Sequence, residues 1–284
     1  MTLIAFVGSV FSPYYRRAWK SGRATAAEHC ALNVALYLPQ GGRWAMTERG
    51  QRHVQRSASR LAIGPSALEW GDGGLTIAID EWANPVPRRV RGTVRLRPGA
   101  LTDYVAALDP RSRHRWGPIA PCARVEVCLE QPALRWQGHA YLDSNEGDEP
   151  ITEAFTTWDW MRAPLPDGST LVVYDVHGQE EREGRLIGTR FAADGSASAV
   201  ELPPRQSLAP TGWRVRRGVR SECPPGPQTT VVRTLEDTPF YARSLVRTRL
   251  AGHDVLAMHE TLSATRFGSR WVQALLPWRM PRRG

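Results

Sequence analysis

His114 and Trp116, in RHRWGPIAP, and Tyr141 and Asp143, in QGHAYLDSNEGDEP, are each two residues apart. On extended backbone such a pair projects from one face of its strand. Where the two faces meet, an imidazole, an indole, a phenol and a carboxyl group converge, a set suited to acid–base chemistry on an uncharged substrate. Desolvation pushes an Asp in an apolar β pocket toward its protonated form, which makes it a proton donor near neutral pH. Aromatic faces around it could stabilise a cation. The spacing also fits a plainer reading, with Trp116 and Tyr141 as core or barrel-mouth residues, His114 as a loop cap and Asp143 opening the turn before Asn145.

A second candidate set is Glu236, Asp237, Tyr241 and Arg243 in RTLEDTPFYARS, for which a structural ion-pair corner is the alternative. Glu28, His29 and Cys30 line up metal-ligating atoms in print, but neighbours in a strand point to opposite faces, so a structural role is expected. The sequence contains no G-x-x-x-x-G-K-S/T, no strand followed by G-x-G-x-x-G, no H-E-x-x-H and no G-x-S-x-G. Nucleotide transfer, zinc hydrolysis and α/β-hydrolase chemistry therefore lose their local signatures. No cofactor and no metal are expected. Cys30, Cys122, Cys128 and Cys223 are far apart with no C-x-x-C, and in a reducing compartment they are expected as buried thiols.

The elements that must position these side chains are strands. Period-two patterns cover Thr2 to Val10, His29 to Tyr37, Leu75 to Trp82, Arg88 to Arg97, Ala123 to Glu130 and Leu134 to Asp143. They continue over Phe155 to Arg162, Thr170 to His177, Arg185 to Ala192, Trp213 to Arg220, Thr229 to Glu236, Phe240 to Leu250 and Asp254 to Thr261, punctuated by turn signals such as Pro166-Asp167-Gly168. Many short strands with 25 glycines and 22 prolines indicate an all-β sandwich or barrel pair. The 284 residues are enough for two domains, and NEGDEP, Asn145 to Pro150, is the expected passage between them. Only Ser263 to Leu276 looks helical, with Phe267, Trp271, Leu275 and Leu276 able to share a face and a basic tail from Arg279 to Arg283 behind it.

A 42% hydrophobic fraction with 11 tryptophans argues against disorder. The net charge of +9 is almost all arginine, since Lys20 is the only lysine. Guanidinium groups favour phosphate and carboxylate partners. Here, however, they alternate with apolar residues, as in Val94-Arg95-Leu96-Arg97, which is a solvated sheet face first and gives no reason to expect nucleic acid. No apolar run approaches the roughly 18 residues of a membrane span, and the start lacks the pattern of a secretory signal, so a cytoplasmic location is expected.

Longer strings carry a resemblance. FVGSVFSPYYRRAW, HCALNVALYLP, RWAMTERG, VRGTVRLRP with HRWGPIAP, YLDSNEGDEP, VVRTLEDTPFYARS and WRMPRR resemble the bacterial carotenoid 1,2-hydratases, also called hydroxyneurosporene synthases, nearly end to end. The resemblance implies paired lipocalin-like β domains, here residues 1–148 with the site and 149–284 with the basic tail. It implies a photosynthetic bacterial source and a cofactor-independent hydro-lyase that adds water to the terminal C1=C2 bond of neurosporene or lycopene. It also implies that His114, Trp116, Tyr141 and Asp143 match the family's acid–base and pocket residues. Which of Asp143 and His114 donates the proton stays open, as does the oligomeric state. Such a substrate lives in a bilayer, so peripheral binding to the anionic face of the inner (intracytoplasmic) membrane is expected, with the arginine tail as one contact. A lipocalin-like carrier without chemistry is the alternative. The family usually has a Trp-Trp-Tyr-like stretch before FxGSVFSPYY, and this chain has only a few residues there, which leads us to expect an unpaired edge in the first domain.

Overall fold

The computed structural model describes residues 1–39, 41–180, 183–226 and 228–283. The first strands are β1 (Thr2–Val7), β2 (Cys30–Leu36), β3 (Arg43–Met46), β4 (Glu48–Arg49), β5 (Val54–Arg56), β6 (Arg60–Ile63), β7 (Ser66–Gly71), β8 (Gly74–Trp82) and β9 (Arg89–Pro98). Next come β10 (Ala106–Ala107), β11 (His114–Gln131), β12 (Leu134–Gly147), β13 (Thr157–Pro164), β14 (Thr170–His177), β15 (Arg185–Phe191) and β16 (Ala197–Ala199). The last are β17 (Arg205–Leu208), β18 (Arg217–Arg220), β19 (Thr230–Asp237), β20 (Tyr241–Leu250), β21 (His253–Ser263) and β22 (Arg282–Arg283). The α-helices are α1 (Pro13–Lys20), α2 (Ile151–Ala154), α3 (Ala264–Phe267) and α4 (Arg270–Arg279). The fold is all-β with short helices near its C-terminal end, as the period-two texture indicates.

Contacts group the chain into two compact units, and neither is continuous. The first holds Met1–Arg97, Arg124–Gly138 and Gln273–Gly284; the second holds Pro98–Ala123 and His139–Val272. A cut after residue 148 falls inside the second unit, because β11 and β12 contribute residues to both. NEGDEP is no passage between units: Asn145–Gly147 continue β12.

In the first unit β1, β2, β4 and β22 lie side by side, with β3 also on β2, and β5 to β9 form an antiparallel run that the later part of β11 extends. β2 is buried along its whole length, whereas β8 alternates, with Ile77, Ile79 and Glu81 inward and Asp80 and Trp82 outward. The first strand ends at Val7, short of the expected Val10. Ser12 accepts from the backbone of Tyr14 and Tyr15 at 3.1 and 2.9 Å and Pro13 opens α1, the ordinary start of a helix. β22 pairs in parallel with β4, and Arg282 and His29 both reach the buried Glu48. His29 thus sits in an ion-pair group, and Cys30 Sγ bonds the backbone carbonyls of Ala26 and Ala27.

The second unit is built on a sheet in the order β16-β15-β14-β13-β21-β20-β19. Its register sorts the side chains by chemistry. On one face Met161, Ala163, Leu171, Val173, Val246 and Ala257 join Leu208 and Val219 of the β17–β18 pair in an apolar core. On the other face Trp160 lies between Tyr174 of β14 and Glu260 of β21, and Glu260 lies opposite Arg243 of β20. The early part of β11 pairs with β10 and with β12.

The basic helical segment divides differently from its sequence pattern. α3 carries Phe267 inward, and on α4 Val272 and Leu276 are buried while Trp271, Leu275 and Trp278 are 47%, 50% and 79% exposed. Those three are spaced i, i+4, i+7 and share one outward face. No helix among the described residues is long and apolar enough to cross a membrane.

Candidate active site

Along β11, His114, Trp116, Pro118 and Ala120 alternate into the interior. Trp116 is fully buried, and its indole N–H donates to two acceptors on β12, the Tyr141 hydroxyl at 3.1 Å and Asp143 Oδ2 at 3.0 Å. The Tyr141 hydroxyl also bonds the Asp143 carboxyl group. One carboxyl group thus has two neutral donors beside it. Around them stands a cage of rings. Tyr174, Tyr104 and Phe191 meet Trp116 edge-on at centroid distances of 5.6, 5.9 and 6.2 Å, and Trp160 lies 5.5 Å from Tyr141. The guanidinium carbon of Arg162 sits 5.6 Å over the Tyr141 ring. Tyr174 holds its hydroxyl on Asn145 Oδ1 at 3.2 Å.

Tyr141 and Asp143 are surrounded by protein, yet each keeps some accessible surface. Burial pushes the Asp143 carboxyl group up from 3.8 to about 6. The Trp116 and Tyr141 hydrogen bonds and the charge of Arg162 oppose that rise, and the nearby Glu260 carboxylate adds to it. Burial first and the Asp143 charge second hold the Tyr141 phenol far above its ordinary range, so it stays a neutral donor. The Arg162 guanidinium is pushed down by burial and held up by Tyr141, Cys122 and Asp143.

His114 stands apart from this hydrogen-bonded group. Its ring packs on Phe155 at 4.6 Å, its backbone N–H donates to Asp109 Oδ2 at 2.7 Å, and its Nε2 is buried with no partner among the described residues. Burial lowers its pKa, against the charges of Asp109, Glu149 and Asp148, so it is neutral at pH 7. A side chain at Gly147 would put Cβ 2.8 Å from His114 Nδ1, so glycine is needed where β12 passes the imidazole. The second candidate set is a buried ion-pair corner: Arg243 bonds Glu236 at 2.9 Å and Glu260 at 2.7 Å, and lies 5.5 Å over Tyr241. Asp237 accepts the backbone N–H of Gly212 at 2.7 Å. Among the described residues no group of His, Cys, Asp and Glu could hold a metal ion.

Residues 3–284 match the family model for the carotenoid hydratase CrtC. The chain belongs to the carotenoid hydratase CrtC family. It is 54% identical over 288 residues to the acyclic carotenoid 1,2-hydratase of Rubrivivax gelatinosus, covering all of this chain and 70% of that one. It is 52% identical over 285 residues to the enzyme of the same name from Thiocapsa roseopersicina, covering all of this chain and 69% of that one. For the Cereibacter sphaeroides enzyme the figures are 39% over 284 residues, 99% and 98%. A crystal structure designated AttH, from Nitrosomonas europaea, superposes with a TM-score of 0.57 at 15% identity, over 83% of this chain and 80% of that one. That likeness shows a shared fold.

In this carotenoid hydratase family member, sequence spacing found three members of one hydrogen-bonded group, Trp116, Tyr141 and Asp143, and left out those supplied by the sheet beneath. Trp160 and Arg162 share a face of β13 by the same i, i+2 rule, and W-D-W-M-R carried that signal. Tyr174 and Glu260 join only through sheet register, which no local pattern reports.

Proposed function

We propose that this chain hydrates the terminal C1=C2 bond of an acyclic carotenoid such as neurosporene or lycopene, without a cofactor and with Asp143 as proton donor. The observation that carries the reading is the Asp143 carboxyl group, raised to about 6 inside a cage of neutral aromatic rings. Protonated Asp143 gives its proton to C2, the O–H bond breaking as the two π electrons form C2–H and leave a tertiary cation at C1. The faces of Trp116, Tyr141 and their neighbours stabilise that cation. Water then donates a lone pair to C1. Neutral His114, one pleat along β11 from Trp116, takes the oxonium proton, a positioned-base contribution of roughly 10²- to 10⁴-fold. The proton returns from His114 to Asp143, and one water has been added.

By the same reading the protein works at an anionic membrane face. The outward Trp271, Leu275 and Trp278 of α4, beside exposed Arg270, suit the headgroup layer, where indole rings and arginines are favoured. The test is lycopene turnover followed by mass spectrometry. Wild-type protein should give products heavier by one water and Asp143→Asn none. Full hydration by Asp143→Asn would end the proton-donor assignment, and lycopene bound by wild type without mass gain would put the carrier ahead.

A further inference from the structure

The first unit contains a cavity of about 540 Å³, lined by Arg49, Arg52, Arg60, Arg89, Arg283 and Trp82 among others. It lies on the outward side of β8, where the alternation leaves Asp80 and Trp82 facing solvent. Asp80 is its one carboxylate among the described residues, and Arg89 grips it in two bonds of 2.7 and 2.8 Å. Arg49 is fixed from behind by Glu81 at 2.8 Å, which Ser66 also bonds at 2.8 Å. Those two arginines are neutralised. The other three are not. Arg52 reaches only His53 Nε2, at 3.1 Å, and Arg60 only Gln55 Oε1, at 3.2 Å; neither these nor Arg283 has a carboxylate within ion-pair distance among the described residues. Glu69, opposite Arg60 across the β6–β7 pair, makes no ion pair with it.

Three uncompensated guanidinium groups around one hollow repel one another until an anion sits between them. Their planar forks fit phosphate oxygens in pairs. The backbone is shaped to the arginines as well: Gly64, in the β6–β7 turn, has φ of +61°, and a Cβ there would lie 2.2 Å from Arg49 Nε. Only glycine allows both. The volume exceeds what a bare phosphate needs and falls in the range of small-molecule sites. Trp82, 45% exposed with the Arg89 guanidinium carbon 5.9 Å from its ring, offers a flat surface for an organic group.

We propose that this cavity is a binding site for a phosphate ester, with Arg52, Arg60 and Arg283 taking the phosphate and Trp82 the attached organic part. The ester is either a soluble metabolite or the headgroup of a membrane lipid, and the recognition chemistry is the same. The site is separate from the hydration chemistry at Asp143.

The test compares wild type with Arg52→Gln/Arg60→Gln, both at exposed positions, and with Arg95→Gln/Arg97→Gln, which removes equal charge from exposed β9 positions outside the cavity. Glycerol 3-phosphate is titrated calorimetrically at low salt, and binding to vesicles of phosphatidylglycerol or phosphatidylcholine is measured by flotation. Binding of glycerol 3-phosphate that weakens about tenfold or more only in the Arg52/Arg60 variant assigns a soluble ester. No glycerol 3-phosphate binding, with phosphatidylglycerol binding reduced about tenfold only in that variant, assigns a lipid headgroup. Neither probe binding to wild type, or equal losses in the two variants, overturns the proposal.

Discussion

Replacing Trp116 with Phe keeps an aromatic ring in the cage and removes one N–H, the donor that reaches Asp143 Oδ2 at 3.0 Å and the Tyr141 hydroxyl at 3.1 Å. That donor favours the charged carboxylate over the neutral acid. A hydrogen bond to a charged group contributes about 1.5–3 kcal/mol, and 1.36 kcal/mol corresponds to one pKa unit, so the loss should lift Asp143 by about 1 to 2 units. From about 6, the carboxyl group would move to about 7–8. At pH 7 the protonated fraction would rise from about a tenth to about half or more. The assay is kcat/KM for lycopene hydration from pH 5 to 9, which reports the free enzyme's groups. Wild type should lose activity as pH rises through about 6, and Trp116→Phe should lose it at a higher pH, whatever its absolute rate. Coincident alkaline limbs would refute the argument that Asp143 must carry a proton and that Trp116 opposes it.

Three further outcomes follow from the geometry. Because the folded-state pKa of Asp143 is raised, its protonation stabilises the fold below about pH 4 and that contribution is lost as pH rises through about 6; the difference between 3.8 and about 6 is worth about 3 kcal/mol. Asp143→Asn should therefore melt higher than wild type at pH 8, with the gap closing toward pH 4. Arg243→Met removes the buried guanidinium that half-buried Glu236 and Glu260 share and should cost about 1–3 kcal/mol in denaturant titration, largely restored by adding Glu236→Gln and Glu260→Gln. Gly147→Ala drives a methyl against His114, whose ring is backed by Phe155, and should lower stability by about 1–3 kcal/mol, visible as a lower midpoint.

Local pattern carried much of this molecule. The segment Thr170 to His177 is a strand with the same ends in sequence and structure, because its Val-rich run is closed by Gly168 on one side and Gly178 on the other. The i, i+2 spacing placed Trp116 beside the Tyr141–Asp143 pair, since it survives any error in strand ends. Other features lay beyond a local reading. α1 follows Ser12-Pro13, a helix start hidden by the apolar FVGSVF run before it. The outward Trp271, Leu275 and Trp278 could not be told from Phe267 and Leu276, because all are apolar and only packing decides which face is covered. Trp160, Tyr174 and Glu260 reach one another across three strands, β14, β13 and β21, through pairings whose partners are far apart in sequence.

The pairing of β22 with β4 has a consequence for biosynthesis. Arg282 and Glu48 lie 234 residues apart along the chain, and the residues from Gln273 onward belong to the first unit. A ribosome makes the second unit's residues before that contribution to the first, so the first unit, although it opens the chain, cannot be completed ahead of the second. Until the residues from Gln273 onward arrive, the β4 edge has no β22 to pair with, and a nascent chain halted before Gln273 would present that edge to chaperones and proteases.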